Sequence, residues 1–295
     1  MLGRPANVFM HEQNQSRTPR LAWQSQCILA VVLLPIASAL VLECILISPS
    51  HLLISICSLG IGTLLALLVW RFRAATPAGA ITGGIIAATL YLAAPGRRTA
   101  LWPLVALLLL TLAATHFGRT SKEKLGVAED RRGRTASQVA ANLGVAALAA
   151  IALRLSGTFT ASHISFMKSM PLALAAALAE AAADTLSSEF GEVLGSEPRL
   201  ITNFSIVPAG TDGAISIAGT IAGLGGAAVV TVAAAIAFTF TRPQAWIVML
   251  AAVAGLFIDS LLGALVERRG WLNNDAVNFL STLSAAVLAS AFALG

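Results

Sequence analysis

The chain has 295 residues, of which 57% are hydrophobic and only 11% charged, and its mean hydropathy is +0.82. Soluble globular domains contain about 25% charged residues, so this composition excludes a soluble protein and predicts a polytopic α-helical membrane protein. The formal net charge of +5 comes from basic residues in short loops, which is usual for membrane proteins and does not indicate nucleic-acid binding.

The first residues are polar, and we interpret 1–22 as a cytoplasmic tail. Apolar stretches follow, each close to the ~20 residues needed to cross the hydrocarbon core of a bilayer. We therefore predict an all-α, transmembrane helical bundle of about nine spans. The predicted spans are 26–47, 51–72, 77–94, 99–117, 138–156, 169–186, 213–240, 243–266 and 276–294.

The basic residues predict the orientation of these spans. With the N-terminus inside, fourteen of the 19 Lys and Arg residues lie on the cytoplasmic side and five on the other, which favours an N-in, C-out topology. The three most polar loops, 118–137, 187–212 and 267–275, then lie together on the cytoplasmic side. We expect one site facing the cytoplasm, in a protein of the cell membrane.

The basic loop at 118–137 leads into a predicted helix. Lys122 and Arg134 are candidate ligands of a phosphate, and Asn142 lies on the same helix face as Thr135 and Gln138. Two other interpretations stay open. The cations could face anionic headgroups, and the amides could join helices by hydrogen bonds.

Carboxylates follow at the inner end of the sixth span. Glu180 and Asp184 are four residues apart and share a helix face, and Glu189 comes soon after them. Paired carboxylates near a membrane interface favour Mg²⁺, which prefers oxygen ligands and retains waters and substrate phosphates. A structural ion pair with a loop arginine is the alternative.

A glycine-rich turn precedes the seventh span. Two glycines, Gly210 and Gly213, allow close backbone approach, while Thr211 and Ser216 supply hydroxyl groups. The N-terminus of a helix favours anions, so this turn is a candidate phosphate site. Asp212 is also placed to cap the helix, a role compatible with phosphate binding. Glycines further along, from 219 to 226, indicate close helix packing.

The last constellation joins two distant segments. Asp259 lies about two turns inside a predicted span, and an intramembrane carboxylate is a functional-site hypothesis by default. Asn274 and Asn278 are four residues apart at the start of the last span. Helix capping explains Asn273 or Asn274, but it does not explain Asn278.

Several of these segments, in one order, resemble an integral-membrane family that includes transmembrane protein 19 and plant phytyl phosphate kinase (domain of unknown function 92). The segments are 133–142, 183–191, 198–202, 210–220, 259–263 and 274–278. The resemblance covers about 77–295, so we divide the chain into the tail 1–22, N-terminal spans 23–75 and a catalytic transmembrane domain 76–295. It implies phosphorylation of an isoprenyl monophosphate to the diphosphate, with Mg²⁺ and CTP or another nucleoside triphosphate.

We expect the site residues to fall into three groups. The catalytic candidates are Asp184, Glu189, Asp259, Asn274 and Asn278. The phosphate-binding candidates are Lys122, Arg134, Asn142, Gly210, Thr211, Asp212, Gly213 and Ser216. The metal candidates are Asp184, Asp259 and Glu189.

Other functions remain open from the sequence. A cytidylyltransferase that makes a CDP-lipid would use the same parts. A transporter of small solutes or ions is favoured by intramembrane Asp259 and Glu43 and by a break in the helix at 207–213. A scaffold without catalysis is the third possibility. The expected partners are an isoprenoid lipid phosphate and membrane lipids.

Overall fold

The structure is a computed structural model that describes residues 21–45, 49–119, 122, 133–155, 164–195 and 197–294. The predicted tail, apart from its last two residues, and most of the basic loop at 118–137 lie outside the described residues. The helices within these ranges are α1 (Ala22–Ile45), α2 (Pro49–Arg71), α3 (Pro77–Ala93), α4 (Leu101–His116), α5 (Ala136–Leu155), α6 (Ile164–Leu194), α7 (Ile217–Phe238), α8 (Arg242–Leu262) and α9 (Asn274–Leu294). Between α6 and α7 lie two short strands, β1 (Arg199–Leu200) and β2 (Ala214–Ile215).

The architecture confirms an all-α, polytopic membrane bundle. Six of the described helices are long and apolar enough to cross a bilayer, namely α1, α2, α5, α7, α8 with the turn that follows it, and α9. Two shorter apolar helices are α3 and α4. Each described helix coincides with one predicted span, while the number of spans that cross the membrane and their orientation stay predictions.

The centre of the bundle is α6, which packs against α4, α5, α7, α8 and α9. Its middle is almost entirely alanine and leucine and is fully buried. Small residues on the neighbouring α7 let the two helices approach closely: a Cβ at Gly223 would lie 2.9 Å from the Ala183 carbonyl, and one at Gly226 would lie 3.0 Å from that of Ala182. This confirms the predicted packing role of these glycines, whereas Gly225 faces open space.

Two predicted boundaries are wrong. The sixth helix continues to Leu194, so Glu189 and its neighbours are helical and not in a loop. No glycine or proline interrupts the sequence between Pro171 and Gly191, and the helix ends only where Gly195 and Pro198 follow. The next helix begins at Ile217 and not at 213, because residues 214–215 pair with β1 in an antiparallel hairpin.

Candidate functional site

The polar segments converge on one cavity of about 290 Å³. It lies between α5, α6, α8, α9 and the hairpin. Of the predicted site residues, all except Lys122 line it: Arg134, Asn142, Asp184, Glu189, Gly210, Thr211, Asp212, Gly213, Ser216, Asp259, Asn274 and Asn278. Segments separated by more than a hundred residues therefore form one site.

Two carboxylates from different helices meet in this cavity. Asp184 on α6 and Asp259 on α8 line it, and their side chains are within interaction distance of each other. Glu180, one turn earlier on α6, is fully buried and also acts on Asp259. Among the described residues, Oδ1 of Asp259 and Oε1 of Glu180 are buried without a hydrogen-bond partner. Buried carboxylates with unused oxygens need a cation or a proton.

Asp184 and Asp259 could hold a divalent cation. In the described part of the chain, no three His, Cys, Asp or Glu side chains are arranged as a metal site. Mg²⁺ does not need such a cluster, since it usually binds one or two protein carboxylates and completes its shell with waters and substrate phosphates. The unpartnered Oδ1 of Asp259 provides one oxygen for such a shell.

The backbone holds Arg134 at the edge of this cavity. Its N–H donates to the Ala74 carbonyl at 3.0 Å, and its own carbonyl accepts from the Thr76 N–H at 3.0 Å. Gly133 precedes it with φ +77°, and a Cβ there would lie 2.6 Å from the Ala74 carbonyl carbon. From this clamped segment the guanidinium donates to the Thr185 hydroxyl at 3.3 Å and acts on Asp184. A fixed cation is thus placed beside the carboxylates.

Two asparagines join α5 to α9 on the cavity wall. Nδ2 of Asn278 donates to Oδ1 of Asn142 at 3.5 Å, and Asn142 donates to the Gln138 carbonyl at 2.9 Å. Gln138 itself accepts from the Thr135 N–H, and Thr135 Oγ1 accepts from the Gln138 N–H. Thr135 and Gln138 of the predicted polar stripe therefore form a capping box that starts α5, and both amides, Gln138 and Asn142, line the cavity.

The Gly-Thr-Asp-Gly turn at 210–213 also lines the cavity. Gly210 and Gly213 both have positive φ, at 78° and 75°. The Thr211 hydroxyl donates to the Pro208 carbonyl at 2.7 Å. Burial raises the pKa of the Asp212 carboxyl above its usual value, and the Arg268 guanidinium opposes this. The close approach of this turn to α8 requires glycine, since a Cβ at Gly263 would lie 2.7 Å from the Gly213 nitrogen.

Ser216, and not Asp212, caps the following helix. Its hydroxyl oxygen accepts the Gly219 N–H at 3.1 Å. The predicted capping role of Asp212 is therefore wrong, because the β2 strand separates Asp212 from the helix start. Asn273 has the equivalent role at α9, where its Oδ1 accepts the Ala276 N–H at 2.9 Å.

Lys122 lies outside the cavity. Its side chain is buried, and Nζ forms an ion pair with Oε2 of Glu189 and donates to the Ala114 carbonyl at 3.0 Å. Oε1 of Glu189 accepts from the Thr115 hydroxyl at 3.1 Å. Both carboxylate oxygens of Glu189 are therefore engaged by Lys122 and Thr115, although Glu189 also lines the cavity.

Sequence reasoning missed a connection from the N-terminal helix. Gln24 on α1 donates to the Trp271 carbonyl at 2.9 Å and accepts the Asn273 N–H at 2.8 Å. Ser25 donates to the Asp275 carboxylate at 2.6 Å. These contacts hold the start of α9, on which Asn274 lies. Each residue alone is an unremarkable polar side chain in an apolar span, so the only signal was the adjacent pair Gln24-Ser25.

Glu43, one of the residues behind the transport hypothesis, forms an ion pair within the bundle. It accepts from Nη2 of Arg154 at 2.7 Å, so the pair joins α1 to α5. Neither residue lines the cavity described above.

Comparisons with known proteins agree with the resemblance noted from the motifs. The profile of the family described as "Integral membrane protein DUF92" matches residues 60–286. An uncharacterized membrane protein of Methanocaldococcus jannaschii is 42% identical over 114 residues, covering 38% of this chain and 46% of that protein. "Protein VTE6, chloroplastic" of Arabidopsis thaliana is 33% identical over 180 residues, covering 60% of this chain and 53% of that protein.

A second Arabidopsis thaliana protein, "Protein PGR", is 29% identical over 270 residues, covering 78% of this chain and 93% of its own length. The chain spans about half the length of the archaeal protein and of VTE6. No solved structure matches this chain.

Proposed function

Because the chain belongs to the DUF92 family of integral membrane proteins, we propose that it is a lipid-phosphate kinase. It would transfer a phosphoryl group from CTP or another nucleoside triphosphate to an isoprenoid monophosphate, giving the lipid diphosphate. The observation that carries this proposal is the meeting of Asp184 and Asp259 beside Arg134 in one cavity. The resemblance of the motifs to phytyl phosphate kinase supports the same reaction.

Asp184 and Asp259 would hold Mg²⁺, which neutralises charge on the phosphates when bound. Their origin on separate helices allows both to reach one ion while leaving room for phosphate oxygens. We omit Glu189 from this ligand set because its oxygens bind Lys122 and Thr115. It would instead be a positioning residue, which fixes the inner end of α6.

The acceptor in this reaction needs no general base. A phosphate monoester carries about −1.5 to −2 charges near neutral pH, so its oxygen is already a nucleophile. That oxygen attacks the γ-phosphorus of the donor, the bond from this phosphorus to the bridging oxygen breaks, and the nucleoside diphosphate leaves with the electron pair. The described residues that line the cavity supply carboxylates, amides, hydroxyls and one arginine, which suit a reaction driven by positioning and charge neutralisation.

The cations and amides of the cavity would position the two phosphate groups. Arg134 is suited to the acceptor phosphate because a guanidinium donates two parallel hydrogen bonds to such a group. The turn at Gly210 and Gly213 would bring backbone N–H groups to the donor phosphates. Asn142 and Asn278 also line the cavity and would donate hydrogen bonds to phosphate oxygens. We expect the cavity to open to the cytoplasm, where nucleotides are available.

The test uses purified full-length protein, a nucleoside triphosphate labelled on its γ-phosphorus, Mg²⁺, and phytyl or geranylgeranyl phosphate. We expect labelled lipid diphosphate and a nucleoside diphosphate. A cytidylyltransferase would instead form a CDP-lipid and release pyrophosphate. Folded protein that yields no product with any donor would rule out both enzymes.

Variants then test the proposed metal ligands. Asp184→Asn and Asp259→Asn should each abolish turnover at the Mg²⁺ concentration that saturates wild type, because each removes one charged ligand. Any turnover that returns should require much higher Mg²⁺. Glu197→Gln is the matched control, since Glu197 is exposed and pairs with Arg199 at 3.2 Å. Full activity in both aspartate variants would refute the ligand assignment.

A further inference from the structure

A second cavity of about 440 Å³ lies beside the polar one, and its walls are mostly apolar. The α4 wall includes Leu104, Leu107, Leu108 and Leu112. We propose that this cavity binds the hydrocarbon chain of a single-chain lipid phosphate and that its walls select the chain length. This inference deepens the proposed function, on which it rests for the identity of the reaction, by assigning the substrate chain to a particular place.

The two cavities adjoin at two residues. Arg134 and Asn142 line both of them. A molecule with its chain in the apolar cavity would therefore carry its head group past Arg134, toward Asp184 and Asp259. This continuity is the first argument for an amphiphile as the occupant.

The gap exists because of how the neighbouring helices pack. α4 packs mainly against α6 and α7, whereas α3 packs against α2 and α5. The face of α3 toward the gap carries Gly79 and Gly83, which project no side chain into it. A Cβ at Gly83 would meet only Val139 Cγ1, at 3.7 Å, so this position has space that the chain leaves unfilled.

Charge identifies the head group. The lining at the polar end includes Arg73, Arg119 and Arg134, together with His116, and none of the described residues of the lining is a carboxylate. An apolar pocket of this size with a few convergent polar groups is typical of a small-molecule site. Apolar walls with a cationic end match a hydrocarbon chain that ends in phosphate.

The experiment combines a photoreactive probe with a matched pair of variants. The probe is geranylgeranyl phosphate with a diazirine at the far end of its chain, added to full-length protein in lipid nanodiscs without nucleotide. We expect cross-links on the α4 segment 104–112 and on 139–143 of α5. Excess unlabelled geranylgeranyl phosphate should compete with them.

Gly83→Phe places a ring in the proposed chain site. We expect it to abolish the cross-links and to lower kcat/KM for geranylgeranyl phosphate at least about tenfold, while turnover of the short dimethylallyl phosphate is retained. Gly60→Phe is the control, because a Cβ at this helical glycine would meet nothing within 4 Å. Leu108→Ala enlarges the apolar cavity and should shift the substrate preference toward longer chains. With this second variant, the test does not depend on the folding of Gly83→Phe alone.

Three results would overturn the inference: cross-links confined to the outer faces of α7 or α9, equal losses for short and long substrates in Gly83→Phe, or an unchanged chain-length profile in both cavity variants. Failure of the proposed kinase is distinguishable from these. If no donor gives a product but the competed cross-links map to 104–112, the chain site stands and the kinase does not.

Discussion

Arg134 donates to the hydroxyl of Thr185 at 3.3 Å, and this bond places a guanidinium beside the carboxylate that precedes Thr185 in the chain. Arg134 is also one of the two residues, with Asn142, at which the polar and apolar cavities adjoin. Its backbone is fixed by hydrogen bonds to Ala74 and Thr76. The cation is therefore in position before any ligand binds. Phosphoryl transfer between two anionic groups benefits from such a fixed positive charge.

Replacing Arg134 tests this arrangement. Arg134→Lys keeps the charge but loses the planar, two-pronged donor, and hydrogen bonds to charged groups contribute about 1.5–3 kcal/mol each. We expect kcat/KM for the lipid phosphate to fall at least about tenfold. Thr185→Val should have a smaller effect, since it removes one hydrogen-bond partner of the guanidinium and keeps the charge. Equal activity of Arg134→Lys and wild-type protein would contradict a bidentate role.

The sequence predicted which residues come together in one cavity, apart from Lys122, but not how they are arranged, and their roles in binding and catalysis stay predictions. Thirteen dispersed residues were expected in one site because polar segments are costly in a membrane unless they share a cavity, and twelve of them line the cavity. Lys122 was misplaced because its partner Glu189 was assigned to a loop. Because α6 extends to Leu194, Glu189 is on a helix and contacts Lys122 and Thr115. The spacing of residues along the chain does not predict this contact.

Contacts between distant segments were the other part that the sequence did not show. The bridge between Ala75 and Arg134 joins two loops, and Gln24 reaches Asn273 from a helix outside the predicted catalytic domain. Each depends on which helices become neighbours. Membrane helices pack where small residues let their backbones approach closely. In an alanine-rich sequence small residues occur on many helix faces, so their distribution fits several helix arrangements.

The Lys122–Glu189 ion pair is expected to stabilise the fold only as a pair. Both side chains are buried, with 2% and 10% exposure. Removing one partner leaves a buried charge alone and typically costs about 3–5 kcal/mol, whereas replacing both can be nearly neutral. Lys122→Met and Glu189→Gln should each lower the unfolding midpoint in mixed micelles, and the double variant should recover most of the loss. Additive effects would show that the two side chains do not interact.

Gln24 is predicted to position the start of α9. It makes partly buried hydrogen bonds to Trp271 and Asn273, and a typical hydrogen bond contributes about 0.5–1.5 kcal/mol to stability. Gln24→Ala should therefore lower thermal stability and turnover together, because Asn274 and Asn278 follow directly. Gln26→Ala is the matched control on the exposed side of the same helix. Indistinguishable behaviour of the two variants would exclude this role.

Gly255 is predicted to make room for Glu180. A Cβ at Gly255 would lie 2.6 Å from Glu180 Cγ and 3.0 Å from Ala285 Cβ. Overpacking of this kind costs about 1–3 kcal/mol, so Gly255→Ala should lower the thermal midpoint and displace a carboxyl that acts on Asp259. Gly225→Ala, where a Cβ meets nothing within 4 Å, should be as stable as the wild-type protein. If Gly255→Ala has the same thermal midpoint as wild type, α6 and α8 can separate at this level without loss of stability.

Asp212 should give the stability of the protein a measurable pH dependence. Burial raises the pKa of its carboxyl above the ordinary value of about 3.9, with Arg268 opposing the shift. The folded protein then binds this proton more tightly than the unfolded chain does. The contribution of Asp212 to stability is therefore fully present below the ordinary value and is lost as the pH rises through the raised pKa.

Asp212→Asn removes the cost of a buried negative charge at this position. The variant should therefore be more stable than wild type at neutral pH, and the difference should shrink as the pH is lowered toward the ordinary value. Arg268→Gln removes the opposing cation and should move the transition to higher pH. Thermal unfolding of the three proteins across this range measures the effect, and a constant difference between wild type and Asp212→Asn at every pH would contradict it.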